Sequence, residues 1–195
     1  KTKVNFPFRT TNVFTVQLSN ANGSFASPTV IGTKSANGND SVMCFVPRSM
    51  PAGNGYRIRI IASAPADTSE NNGINIRIKP LPTAVVASSN APICATDTLR
   101  LSGSSGNTDV TYSWMGVAGF VAGVKDTFRA AATTAHTGNY ILTVNRQGCI
   151  VKDTTYVLVK PRPDTPDASS NSPVCTGAAI NLTGTNNTSG VSYIW

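Results

Sequence analysis

The chain has 195 residues and carries 16 Lys+Arg against 9 Asp+Glu, a net charge of +7 with only 13% charged residues, where about 25% is usual. Its 40% hydrophobic content, with 16 Gly and 12 Pro, permits a buried core and excludes wholesale disorder, a coiled coil, a collagen and a helical bundle. One histidine excludes a His-rich metal centre, and no apolar run reaches the ~18–20 residues of a membrane-spanning helix.

The chain opens on Val4, Phe6 and Phe8, which alternate at strand period. Phe14, Val16 and Leu18 alternate next, and Asn20-Ala-Asn-Gly23 is a hairpin turn signal. Further strands are predicted at Pro28–Ile31 and Val42–Val46. The clearest pair is Gly53–Ile61 with Ile74–Lys79: Tyr56, Ile58 and Ile60 share one face of the first, and Ile74, Ile76 and Ile78 one face of the second. A Gly turn just before Tyr56 resembles a tyrosine corner. Residues 1–80 therefore read as a β-sandwich module whose first strand is missing. Lys79-Pro-Leu-Pro82 is a linker.

An internal repeat follows. Ala87-Ser-Ser-Asn-Ala-Pro-Ile-Cys94 recurs as Ala168-Ser-Ser-Asn-Ser-Pro-Val-Cys175, an offset of 81 residues (168 minus 87). The match runs without a gap to Trp114/Trp195, with 11 of 28 aligned positions identical. A period of this length suits a small sandwich in an array and is too long for a solenoid unit. Within the complete copy, Thr98–Ser102 suits strand B, Val110–Trp114 strand C with Trp114 in the core, and Thr137–Val144 strand F with Tyr140 as a tyrosine corner. Gln147-Gly148 is a turn, and Cys149–Val159 gives strand G. The domains are expected at 1–80, 81–161 (a complete immunoglobulin-like repeat) and 162–195 (the opening of a second). The fold class is all-β: tandem immunoglobulin-like sandwiches joined by short Pro-containing linkers. An alternating run at either end reads as an internal piece of a longer protein.

Cys94 and Cys149 fall in one module and are expected to form a disulfide, which implies an oxidising compartment. Cys175 repeats Cys94, and its partner is expected near position 230, outside this chain. Cys44 is expected to be a buried free thiol or to pair upstream of Lys1. The spacings of 50, 55 and 26 residues (44 to 94 to 149 to 175) contain no CxxC and give no metal framework.

No catalytic motif is present: GxSxG, HExxH, a P-loop and a Rossmann glycine run are all missing. His136 reads as a loop residue. The acids are scattered singly, with a calcium ion near Asp164 or Asp167 as the one metal reading. No metal or cofactor is expected. If Tyr56–Ile60 and Ile74–Lys79 pair, Arg57, Arg59, Arg77 and Lys79 share an outer face as a cationic stripe. Such a stripe would attract an anionic polysaccharide or simply be a solvated face that discourages edge aggregation. Nucleic acid is not expected, because no exposed aromatics interleave with these cations.

The stretch Asn12–Pro28, with Ile31-Gly32 and Pro51–Arg59, resembles a module common in large exported proteins of Bacteroidota. Ser89–Cys94, Tyr112-Ser-Trp114, Gly138-Asn-Tyr140 and Gly148-Cys149 are similar to the immunoglobulin/PKD-like repeats of the same proteins. Such proteins include gliding-motility adhesins and other type IX secretion substrates. The resemblance covers nearly the whole chain and implies an extracellular surface protein with no catalytic residues. Asp40-Ser-Val, Asp97-Thr-Leu and Asp153-Thr-Thr resemble the short acceptor pattern for O-glycans in that phylum, with Ser41, Thr98 and Thr154 as acceptors, or they are ordinary strand and turn chemistry.

The function expected is a non-catalytic stalk segment of a large, repetitive, secreted cell-surface adhesin, in the setting of gliding motility. It would extend a binding tip or form a filament. Its partners would be neighbouring repeats, the secretion or surface-anchoring machinery and anionic polysaccharide. The alternatives are accessory or carbohydrate-binding modules of a secreted enzyme, and a filament subunit completed by a neighbour's strand.

Overall fold

The computed structural model of the chain describes residues 7–194. Val4, Phe6 and Trp195 lie outside that range. The chain divides into two compact units, one built on residues 1–81 and the other on residues 82–195, with only Gln147–Cys149 grouped with the first. No α-helix occurs among the described residues, and no helix there is long and apolar enough to cross a membrane.

The first unit holds β1 (Val13–Leu18), β2 (Thr29–Ser35), β3 (Gly53–Tyr56), β4 (Ile58–Ser63), β5 (Ala66–Thr68) and β6 (Ile76–Ile78). One antiparallel sheet runs β2-β1-β4-β5, and a second pairs β3 with β6. The period-two pattern of β1 is realised: Phe14, Val16 and Leu18 are buried, and Thr15 and Gln17 face outward. Asn20 builds the expected turn, its Oδ1 accepting from the Asn22 and Ser24 amides at 3.0 Å each. Gly23 supplies the positive φ of +81° there.

Two of the strands expected in this unit are not formed as read. Val42–Val46 is not a strand; it is an irregular strap beside β2, held by the Phe45 amide on the Ile31 carbonyl at 2.9 Å, with Met43 and Phe45 exposed. The strap approaches so closely that a Cβ on Gly32 would stand 2.5 Å from the Met43 carbonyl oxygen. The run Gly53–Ile61 is also not one strand. Tyr56 pairs with Ile76 in one sheet, while Ile58–Ala62 pairs with β1 in the other. The chain changes sheets at Arg57. Buried Ser19 stitches that crossing: its Oγ accepts from the Arg57 amide at 2.7 Å, and its own amide donates to the Arg57 carbonyl at 2.8 Å.

The second unit contains β7 (Val86–Ser89), β8 (Ile93–Cys94), β9 (Leu99–Ser104), β10 (Thr111–Met115), β11 (Val121–Ala122), β12 (Asp126–Arg129), β13 (Gly138–Arg146), β14 (Cys149–Val157) and β15 (Val159–Lys160). A 3-10 turn, Thr134–His136, precedes β13. Sheet β11-β10-β13-β14 faces sheet β12-β9-β7, and β8 pairs with β15 in parallel. This is an immunoglobulin-like sandwich. Its core is Leu99 and Leu101 from one sheet against Trp114, Tyr140, Leu142, Val144 and Val157 from the other. The Trp114 indole N–H donates to the Lys125 carbonyl at 3.1 Å, so the largest buried side chain leaves no polar atom unpaired.

The same unit includes a last hairpin, β16 (Asp167–Ser170) with β17 (Leu182–Thr185). It repeats β7 and β9 of the complete copy. In the complete copy the Asn90 side chain donates to the Thr98 carbonyl at 3.0 Å and accepts from the Arg100 amide at 2.8 Å. Asn171 donates to the Ala179 carbonyl at 3.2 Å and accepts from the Asn181 amide at 2.9 Å. The repeated Ser-Ser-Asn therefore has a physical reason: its Asn clamps the returning strand in both copies.

Candidate functional site

The predicted stripe of four cations does not form as one surface. Arg59 lies on β4, in the sheet with β1, and Arg57 at the break between β3 and β4, whereas Arg77 lies on β6 and Lys79 just beyond it, beside β3. The pairing assumed from sequence required Gly53–Ile61 to be a single strand, and the sheet change at Arg57 breaks it.

What remains is a two-arginine face. Arg59 sits opposite Gln17 in the β1/β4 register, on the outward side, two residues from Arg57. Both are half-buried. Arg57 donates Nη1 to Asn71 Oδ1 and Nη2 to Asn75 Oδ1, each at 3.1 Å. Arg59 donates Nε to Gln17 Oε1 at 2.9 Å and lies over the Phe25 ring, 4.6 Å from its centroid. Every side-chain acceptor named here is a neutral amide. The guanidinium groups are held in place and their charge is not cancelled.

The charge is concentrated in this unit. Residues 1–81 contain 9 Lys+Arg and 3 Asp+Glu, a net +6; residues 82–195 contain 7 and 6, a net +1. Among the described residues the single ion pair of the first unit is Lys34–Asp40 at 2.8 Å, where the lysine holds the Asp40 carboxyl below its usual range.

The expected disulfide is corrected. Cys94 and Cys149 are both free. Cys149 opens β14, while Cys94 pairs with Lys160 of β15, eleven residues further along nearly continuous strand. At ~3.3 Å per residue that is roughly 35 Å, against the ~4.4–6.8 Å between Cα atoms that a disulfide needs. The sequence placed one cysteine before strand B and one at the F–G turn, but it did not show β8 running parallel to the far end of the last strand. Cys44 is exposed, not buried, and lies on the strap against Gly32. Cys175 is exposed and free.

Tyr56 and Tyr140 are buried tyrosine corners. The Tyr56 hydroxyl donates to the Pro51 carbonyl at 2.7 Å, and the Tyr140 hydroxyl donates to the His136 carbonyl at 3.2 Å. Burial pushes the Tyr140 phenol up. His136 accepts the Thr133 amide on Nδ1 at 2.9 Å, so its imidazole is neutral there; partial burial first, and Arg129 second, push its pKa down. No nucleophile or carboxylate joins it in a described hydrogen bond.

The three Asp-Ser/Thr motifs are anchored by their acids. Asp97 accepts the Cys94 amide at 3.0 Å and pairs with Arg162 at 3.4 Å. Asp153 accepts the Ala87 amide at 2.8 Å, tying the β7 edge to β14. Ser41 and Thr154 are exposed and Thr98 is half-buried. Sequence reasoning missed these structural carboxylates, as it missed Asn12. That side chain is fully buried before β1, accepts the Ser63 and Ala64 amides at 2.9 and 3.0 Å and donates to the Ala36 carbonyl at 2.8 Å. Asp164 and Asp167 gather no third acid, and no group of three His, Cys, Asp or Glu that could hold a metal occurs among the described residues.

No family model matches the chain, and no curated protein matches it. Among solved structures it is similar to the amphioxus IgVJ-C2 molecule, at 10% identity and a TM-score of 0.36 over 80% of this chain and 94% of that one. It is also similar to three N-terminal domains of the Highly Immunogenic Outer Capsid protein (Hoc) of bacteriophage RB49, at 11% identity and a TM-score of 0.36 over 89% of this chain and 58% of that one.

Proposed function

We propose that the chain is a non-catalytic stalk segment of a large, repetitive, secreted cell-surface adhesin of the Bacteroidota type, of the kind used in gliding. The observation that carries this reading is the repeat itself. Two copies 81 residues apart (87 to 168) fold their first strands with the same Asn clamp. Repetition of a sandwich without a motif for chemistry supplies length, and length is what a stalk contributes.

The strand order of the complete copy supports a mechanical role. Its early strand β8 and its last strand β15 are paired in parallel, with the Ile93 amide on the Leu158 carbonyl at 3.1 Å and the Ala95 amide on the Lys160 carbonyl at 2.7 Å. Tension on the two ends of the module loads these bonds in shear, so they break together and not one at a time. Cell-surface location rests in this reading on the resemblance of the modules alone, since the disulfide that pointed to export does not form.

The test is single-molecule stretching of the full chain between handles. The stalk reading expects the complete copy to unfold in one resolved step, with a gain of roughly 25 nm at ~3.6 Å per released residue. Extension without a resolved step, at forces no higher than those that stretch unfolded chain, would falsify it.

A further inference from the structure

We propose that the outer face of β1 and β4, centred on Arg57 and Arg59, binds an acidic polysaccharide. The inference uses the surface of the first unit alone and stands independently of the stalk reading.

Three observations converge. The first unit holds +6 of the chain's +7 charge, which draws polyanions to it over the range of a Debye length. Its two half-buried arginines are close in the chain: Arg59 is on the outward side of β4, and Arg57 is the residue just before that strand. Their described side-chain hydrogen bonds go to Asn71, Asn75 and Gln17, not to carboxylates. Arg57 has spent one N–H on each terminal nitrogen, and Arg59 its Nε, so each guanidinium keeps N–H groups to offer. A guanidinium fork braced in this way is preorganised for the two oxygens of a uronate or sulfate group.

The shape of the face selects a polymer. Arg59 stands on the outward side of the sheet with Arg57 beside it, and one small anion on one guanidinium gains little there. A chain of repeated acids engages both arginines at once and gains by effective concentration. The Phe25 ring lies under Arg59, so the guanidinium occupies a ring face on which a base would otherwise stack. That disfavours nucleic acid.

The experiment measures binding of the full chain to immobilised alginate, a polyuronate, with neutral dextran and an oligothymidylate as comparisons. We expect binding to alginate at low salt, its loss at about 0.5 M salt where the Debye length shortens to a few ångströms, and none to dextran. R57Q/R59Q is expected to weaken binding roughly tenfold, as for loss of two charge-assisted contacts. R77Q/K79Q removes the same charge from the other sheet and is expected to change it by less than about threefold. N71A/N75A keeps all charge and removes the brace of Arg57; we expect a severalfold loss. Equal weakening by the two charge-removing pairs would reduce the effect to net charge and overturn the site. Oligothymidylate binding that outlasts alginate binding in salt would replace the polysaccharide with nucleic acid. Circular dichroism checks folding; if R57Q/R59Q unfolds, R57K/R59K takes its place, and undiminished binding by that variant overturns the fork.

Discussion

The two copies of the repeat begin alike and end differently. In the complete copy Leu99 and Leu101 are 0% and 2% exposed; their equivalents Ile180 and Leu182 are 63% and 55% exposed. The Asn clamp, the strand pairing and the Pro-x-Cys turn sequence are shared. Local hydrogen bonding is therefore set by residues within about ten positions, whereas burial is set by Trp114, Leu142 and Val157, which arrive from elements far along the chain.

The difference can be broken most forcefully at Gly116. A Cβ there would stand 2.3 Å from Cδ1 of buried Tyr140. Gly116→Ala is expected to destabilise the complete copy by about 3 kcal/mol through overpacking, read by denaturant unfolding, with no change in the hydrogen exchange of the β16–β17 hairpin. Leu101→Ala comes next, at about 3 kcal/mol as a core truncation, while Leu182→Ala is expected to cost less than about 0.5 kcal/mol because the site is largely in water. Equal costs at the two positions would mean that the last hairpin buries its face in solution.

Removing the clamps sharpens the comparison. Asn90→Ala leaves the Arg100 amide and the Thr98 carbonyl without their partner and is expected to cost about 1–2 kcal/mol. Asn171→Ala should instead raise exchange at Asn181 without moving the main unfolding transition. Tyr140→Phe and Tyr56→Phe each remove one corner hydrogen bond, at about 1 kcal/mol apiece, and allow the corners of the two units to be compared directly.

The smallest effect concerns pH. His136 has a folded pKa pushed below its ordinary 6.5, so the unfolded chain takes up a proton first as pH falls. Its contribution to stability is complete above that ordinary value and declines as pH drops below it. His136→Gln should flatten the stability of the complete copy between about pH 7 and pH 5; an unchanged slope would show that other groups carry it.

Much of the fold was legible. Alternation at Phe14, Val16 and Leu18 and the buried Trp114 and Tyr140 follow from period two and from the size of the side chains. The strap at Val42–Val46 was misread because a short run of consecutive apolar residues has the composition of a strand, yet most of them are exposed. The candidate site was half legible: Arg57 and Arg59 were found as cations on one face, but their union with Arg77 and Lys79 assumed a pairing.

By itself the sequence determined the all-β class and the repeat, because these depend on side chains alternating along one strand and on the recurrence of identical residues; the role of the repeated Asn as a clamp was seen only in the structure. Only the tertiary structure decided which sheet each strand joins. Strand pairing is a long-range choice in which Gly53–Tyr56 and Ile58–Ser63 find different partners across a one-residue break at Arg57. The same kind of choice, the parallel seating of β8 beside β15, carries Cys94 away from Cys149 and leaves both thiols free.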